Sequence, residues 1–121
     1  MADRKYDFGR SARLAVSRRY LGLERDEMAA ALRMSPSSYQ RMENGQAGIP
    51  AGIWEEIDRL MESFDKDVEA LLEQANDGPL KVRVWRGKAT NRAYPGMWQR
   101  AVSEAMRENP QIEPVFPEDE D

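Results

Sequence analysis

The sequence predicts a mainly α chain, with four helices in the N-terminal half and the fourth of them long. That helix leads into a small C-terminal strand-helix(-strand) unit. Three observations predict this. Apolar residues recur at helical spacing from about residue 10 to residue 75. Within that span Ile53, Ile57, Leu60, Phe64, Val68, Leu71 and Ala75 step by three and four residues, one apolar stripe on a single long helix. Then Leu80-Lys81-Val82-Arg83-Val84-Trp85 alternates with period two, as a half-buried strand does.

Residues 1–9 carry no periodic pattern and read as a flexible arm. Leu14, Val16, Tyr20 and Leu21 follow at rough helical spacing, and Gly22 stops the first helix. A short second helix fits residues 24–32, burying Met28, Ala29 and Leu32. Ser35-Pro36 reads as a cap followed by proline at the first helical position. The third helix runs to about Asn44, with Tyr39 and Met42 inward and Gly45 beyond its end. Pro50 opens the long helix, and Asn76-Asp77-Gly78-Pro79 stops it. Three short helices cannot cover a helix of this length, so its far half needs another partner. After the strand, residues 86–96 read as a loop. Met97, Trp98, Ala101, Val102, Ala105 and Met106 make an amphipathic helix, and residues 112–116 fit a second strand that Pro114 confines to an edge. Residues 117–121 read as a disordered acidic tail.

Composition narrows the chemistry. With no cysteine and no histidine, thiol and imidazole catalysis and the commonest zinc sites are excluded, and no metal or cofactor is expected. Glu55, Glu56, Asp58 and Glu62 read as the wet face of a helix rather than a catalytic carboxylate pair, so no enzyme is expected. No apolar run approaches the roughly 20 residues of a membrane helix, and the start lacks a secretory block, so a cytoplasmic location is expected. The net charge is −4, but it is segregated. Residues 1–49 and 80–116 carry a net positive charge, while 50–79 and the tail are acidic. Local patches, not the sum, steer a polyanion.

Leu21-Gly22-Leu23, Met28-Ala29, Leu32, Met34-Ser35, Arg41-Met42-Glu43-Asn44-Gly45 and Pro50 together resemble the lambda-repressor-like helix-turn-helix class, the Cro or Xre family. The resemblance implies a four-helix DNA-binding domain over residues 10–65 that reads the major groove with the start of helix 36–44. That helix offers Pro36, Ser37, Ser38, Gln40 and Arg41, of which Arg41 suits guanine and Gln40 adenine. Arg25 and Asn44 match family positions that hold phosphates, and Arg19 is a further candidate DNA contact. Arg18 falls where the family pairs an arginine with the glutamate matching Glu43, which implies a structural ion pair. Three positions depart from the pattern. Arg33 stands at the turn position usually held by glycine, Tyr39 at a usually β-branched anchor, and Glu24 at a usual Ser or Thr.

The family works as dimers on two-fold operators, so residues 66–116 are expected to hold a dimerisation unit built on Phe64, Val68, Leu71, Leu80, Val82, Val84, Trp98 and Val102. The layout also resembles small phage repressors, including the anti-CRISPR-associated regulators. The leading expectation is a dimeric repressor of phage or prophage type bound to a double-stranded inverted repeat. The alternative is an antitoxin that binds a toxin through residues 65–121. Lys81, Arg83, Arg86, Lys88 and Arg92 form a basic segment without acids. It reads as an exposed strand face and loop, as an RNA- or phosphate-contacting surface with Trp85 and Tyr94 for stacking, or as a dock for an acidic protein surface.

Overall fold

The computed structural model describes residues 6–87 and 94–120, which leaves Lys88 and Arg92 of the basic segment outside the described residues. The chain divides into two compact units, residues 1–61 and 62–121, and the boundary falls within a continuous helix. In the first unit α1 (Ser11–Leu21), α2 (Arg25–Ala31) and α3 (Pro36–Glu43) precede the start of α4 (Ala51–Gln74).

Each helix stops where local chemistry dictates. Gly22 adopts the left-handed conformation at φ 75° and its N–H closes α1 onto the Arg18 and Arg19 carbonyls. The Glu24 N–H donates to Glu27 Oε1 at 2.8 Å, so a glutamate three residues on fastens the start of α2 although no Ser or Thr stands there. Ser35 caps α3, its Oγ accepting the Ser38 N–H at 3.1 Å. The inward face of α1 is Leu14, Arg18 and Leu21, whereas Val16 and Tyr20 are exposed. Spacing of apolar residues alone misplaces that face, because the middle position of the buried stripe is an arginine.

The N-terminal arm is partly tied down. Tyr6–Asp7 forms β1, antiparallel to β2 (Ile49–Pro50), with Asp7 opposite Ile49. The Trp54 indole N–H donates to Asp7 Oδ2 at 2.6 Å, and the Arg10 guanidinium lies over the same indole. A Cβ on Gly48 would come within 2.7 Å of the Phe8 ring, so a larger residue there would push the exposed Phe8 side chain aside.

The second unit supplies its own partner for the far half of α4. Leu71, Ala75, Val82, Val84, Val102, Ala105 and Ile112 form one buried cluster, with Val68, Leu72, Leu80, Trp98 and Phe116 packed against it. Phe64 is also buried, with Arg100 above its ring. Strand β3 (Leu80–Arg83) pairs in parallel with β4 (Ile112–Val115), Leu80 opposite Ile112 and Arg83 opposite Val115. A parallel pair needs a crossover, and α5 (Pro95–Glu108) provides it.

The second strand expected over residues 112–116 is therefore the partner of β3 within the same chain. The outer edges are also blunted. Leu80 and Val84 send their N–H groups to the Gln111 and Val115 carbonyls at 3.0 and 2.9 Å, so the alternate backbone groups face away from β4. There the Arg83 carbonyl accepts from the Trp98 indole at 2.7 Å, and the Trp85 carbonyl from the Gln99 amide at 2.6 Å. On β4 the Ile112 N–H donates to the Asn109 carbonyl, and Pro114 has no N–H to offer. Such edges are poor templates for another strand.

The terminal segment also differs from its expectation of disorder. Pro117–Asp119 forms a 3-10 turn. Glu120 lies 2.7 Å from Arg83, and Glu118 lies 2.7 Å from Arg86. The hydrogen bond from Arg86 holds the Glu118 carboxyl below the usual carboxylate range. Attraction to the basic strand supplies order that composition alone did not reveal.

Candidate nucleic-acid interface

α2 and α3 are locked together by apolar residues at their crossing. Met28, Ala29, Leu32, Tyr39 and Met42 are all buried. The turn between the helices closes through Arg33 N–H to the Ala30 carbonyl at 3.0 Å and Met34 N–H to the Ala29 carbonyl at 2.9 Å. Arg33 sits at φ 60°, the one non-glycine residue with positive φ among the described residues. The left-handed turn that glycine usually makes is therefore kept, with a Cβ in a disfavoured position. Arg33→Gly should stabilise the chain by about 1 kcal/mol, read by urea denaturation. An unchanged or lower midpoint would mean that the Arg33 side chain contributes more than its backbone costs.

Locking one face of α3 leaves the other to solvent. Ser37, Ser38, Gln40, Arg41 and Asn44 are exposed, as is Pro36 at the first helical position. Ser37 and Arg41 are one helical turn apart and share a face. Ser38 is partly consumed locally, because its hydroxyl accepts from Ser35 Oγ at 2.9 Å. Ser37 shares that cap, its Oγ 3.4 Å from Ser35 Oγ, and Gln40 and Arg41 complete the exposed face. Arg19 is exposed on α1, next to the inward-facing Arg18.

Behind this surface lies a polar cluster that fixes the last turn of α3. Arg18 donates through Nε and Nη2 to the two Glu43 oxygens at 3.0 and 2.9 Å, a bidentate pair, and through Nη1 to the Leu23 carbonyl at 2.9 Å. The Tyr39 hydroxyl also donates to Glu43. Arg18 and Glu43 side chains are only 10% and 5% exposed, so the pair is effectively buried. Burial alone would raise the Glu43 carboxyl, but hydrogen bonds from Arg18 and Tyr39 outweigh it and hold the group below the usual range. The same contact raises Arg18, and burial, then the bond to Glu43, pushes the Tyr39 phenol up.

The part of Tyr39 was not foreseen from the sequence. Its spacing of four residues from Glu43 on one helix was the signal available. Arg25 enters the same cluster, with Nε 3.4 Å from Glu43 Oε1, while half of its side chain stays open. It lines an open groove of about 500 Å³ with Arg18, Glu24, Asp26, Pro36 and Gln40. The acids on that rim offset some of its positive charge.

Among the described residues no group of three or more acidic side chains is arranged to hold a metal ion. No helix there is long and apolar enough to cross a membrane. Comparison with curated protein sequences gives no match. Residues 11–72 match the model of the helix-turn-helix domain, a span of more than half the chain that runs from α1 into the second half of α4. The buried α2–α3 crossing, the left-handed turn at Arg33 and the outward face of α3 agree with that match, and the chain belongs to this family, as a DNA-binding helix-turn-helix regulator consistent with the Cro and Xre class.

Proposed function

We propose that this regulator is a dimeric repressor of phage or prophage type that reads a two-fold operator through α3. The observation that carries the reading is the outward face of α3, with Ser37, Gln40 and Arg41 exposed over a rigid Arg18–Glu43–Tyr39 base. Arg41 reads guanine in a bidentate manner and Gln40 reads adenine, while Arg19, Arg25 and Asn44 hold phosphates. Three or four base-reading side chains give one domain little specificity, which is the reason for a dimer.

Of the residues assigned to dimerisation from sequence, Leu71, Val82, Val84 and Val102 form the interior of the second unit, Val68, Leu80 and Trp98 pack against it, and Phe64 is buried. Their part in a dimer is to build a surface rather than to touch a partner. The adjoining apolar groove of about 250 Å³, lined by Val84, Gln99, Val102, Ser103, Met106, Pro114 and Phe116, is the contact this reading favours.

Selection of bound sequences from a random duplex pool tests the proposal. The expected product is an inverted repeat with half-sites about 34–36 Å apart, one helical turn or a multiple. A single asymmetric site would count against the two-fold reading, and copurification of a tight heteromeric partner would favour the antitoxin reading. On the selected operator Arg41→Ala should cost roughly 1–3 kcal/mol, and little on random duplex. Equal losses on both, in a titration at fixed salt, would make Arg41 a phosphate contact.

A further inference from the structure

The basic strand of the second unit carries its own anionic occupant. Lys81 and Arg83 project from the exposed face of β3, and Arg86 follows it. Each faces an acid of the last ten residues. Glu113 stands opposite Lys81 in the parallel register, Glu120 meets Arg83 Nε at 2.7 Å, and Glu118 meets Arg86 Nε at 2.7 Å. The Arg86 guanidinium also lies 3.7 Å over the Phe116 ring, which fixes it at the start of the acidic turn.

These ion pairs are exposed. Both arginine side chains are 63% open to solvent, so each pair is held in a high dielectric and contributes little net stability. Two carboxylates on a short terminal turn are also a weaker counter-charge than a phosphate backbone, which carries one charge every 1.7 Å or so of duplex axis. The turn therefore suits a removable cover rather than a permanent staple.

We propose that Lys81, Arg83 and Arg86 form a second surface for the phosphate backbone of duplex DNA, and that the turn bearing Glu118 and Glu120 is its built-in competitor. The duplex is the favoured occupant because α3 binds DNA in the same chain. A tether raises the local concentration of phosphates that the second unit meets. In free protein the carboxylates occupy the guanidinium groups and suppress indiscriminate binding. On DNA, phosphates exchange for carboxylates at no loss of pairing. The inference rests on DNA binding by the helix-turn-helix unit, but not on the operator, its symmetry or the dimer.

The test uses the full chain with Glu118→Gln and Glu120→Gln together, which removes charge and keeps shape. Fluorescence anisotropy on random-sequence duplex, across a salt series, is the readout. The paired variant should bind several-fold more tightly at low salt. Its log-log salt slope should be steeper by up to about 2, near 0.9 for each phosphate that the carboxylates no longer keep from the two arginines. Adding Arg83→Gln and Arg86→Gln should abolish both gains, and those two changes alone in the natural background should cost less affinity than they do in the acid-free chain, because there the carboxylates already offset part of what the arginines contribute. A chain ending at Phe116 should reproduce the gains and serves if the glutamine variant folds poorly.

Unchanged affinity and slope in both acid-free chains would overturn the proposal. So would gains that survive loss of Arg83 and Arg86, since these would report only total charge. A gain confined to single-stranded RNA would overturn it in favour of an RNA surface. Repeating the series with Arg41→Ala separates the two readings, because the gains on random duplex should persist when operator recognition has gone.

Discussion

Replacing Glu43 with alanine should cost about 3–5 kcal/mol of stability, the range for removing one partner of a buried pair. Three donors depend on that carboxylate. Arg18 would keep the Leu23 carbonyl but bury an uncompensated charge, the Tyr39 hydroxyl would lose its acceptor, and Arg25 would lose its anchor on the α3 side. Urea denaturation gives the number. Arg18→Ala should be comparably damaging, and the double variant should lose clearly less than the two single losses combined. Additive losses would mean that the two side chains are not coupled in solution. A loss well under 1 kcal/mol would mean that Arg18 escapes to water once its partner is gone.

The same cluster sets a pH dependence. Glu43 is held below the ordinary value of 4.5, so its contribution to stability is complete above that pH and fades as pH falls through the folded value. Tyr39 is raised above 10.0, so its contribution is complete below that pH and fades as pH rises towards the folded value. Glu43→Gln should flatten the acid limb of the stability profile, and Tyr39→Phe the alkaline limb.

The helix-turn-helix half was legible because its determinants are local. Caps, a proline at the first turn and an apolar pair per helix are written within a few residues of where they act, as at Ser35-Pro36 and Tyr39 with Met42. The strained Arg33 was legible for the same reason, since a turn needing positive φ is unusual for any residue but glycine. What stayed hidden depends on contacts between distant residues. β1 and β2 are two residues each, too short for any alternation, and the Asp7–Trp54 bond that accompanies them joins residues 47 apart. The parallel partner of β3 lies about thirty residues away across α5, and no pattern in the strand names it. The inward face of α1 stayed hidden to apolar spacing, which counts Val16 and Tyr20, although the resemblance already pairs Arg18 with Glu43. The terminal turn hid behind its composition, which describes disorder unless the arginines it meets are known.

Placing a charge at Val102 should separate what the two units do. Val102 is 1% exposed in the cluster with Leu71, Val82, Val84 and Ile112. A carboxylate there would be buried among apolar side chains, so Val102→Asp should cost more than about 4 kcal/mol, enough to unfold a small core. The buried residues of the first unit, Leu14, Leu21, Met28, Ala29, Tyr39 and Met42 among them, lie outside that cluster. Under the dimeric proposal the variant should therefore sediment as a monomer and lose at least tenfold in operator affinity, since each half-site would bind alone. Binding to a single half-site should persist and should still respond to Arg41→Ala. If that response is lost as well, the first unit depends on the second for its fold. If the natural protein itself sediments as a monomer at micromolar concentration, the dimer is excluded. The apolar groove beside Met106 and Phe116 would then be a surface for a different protein, which is what the antitoxin reading requires of the second unit.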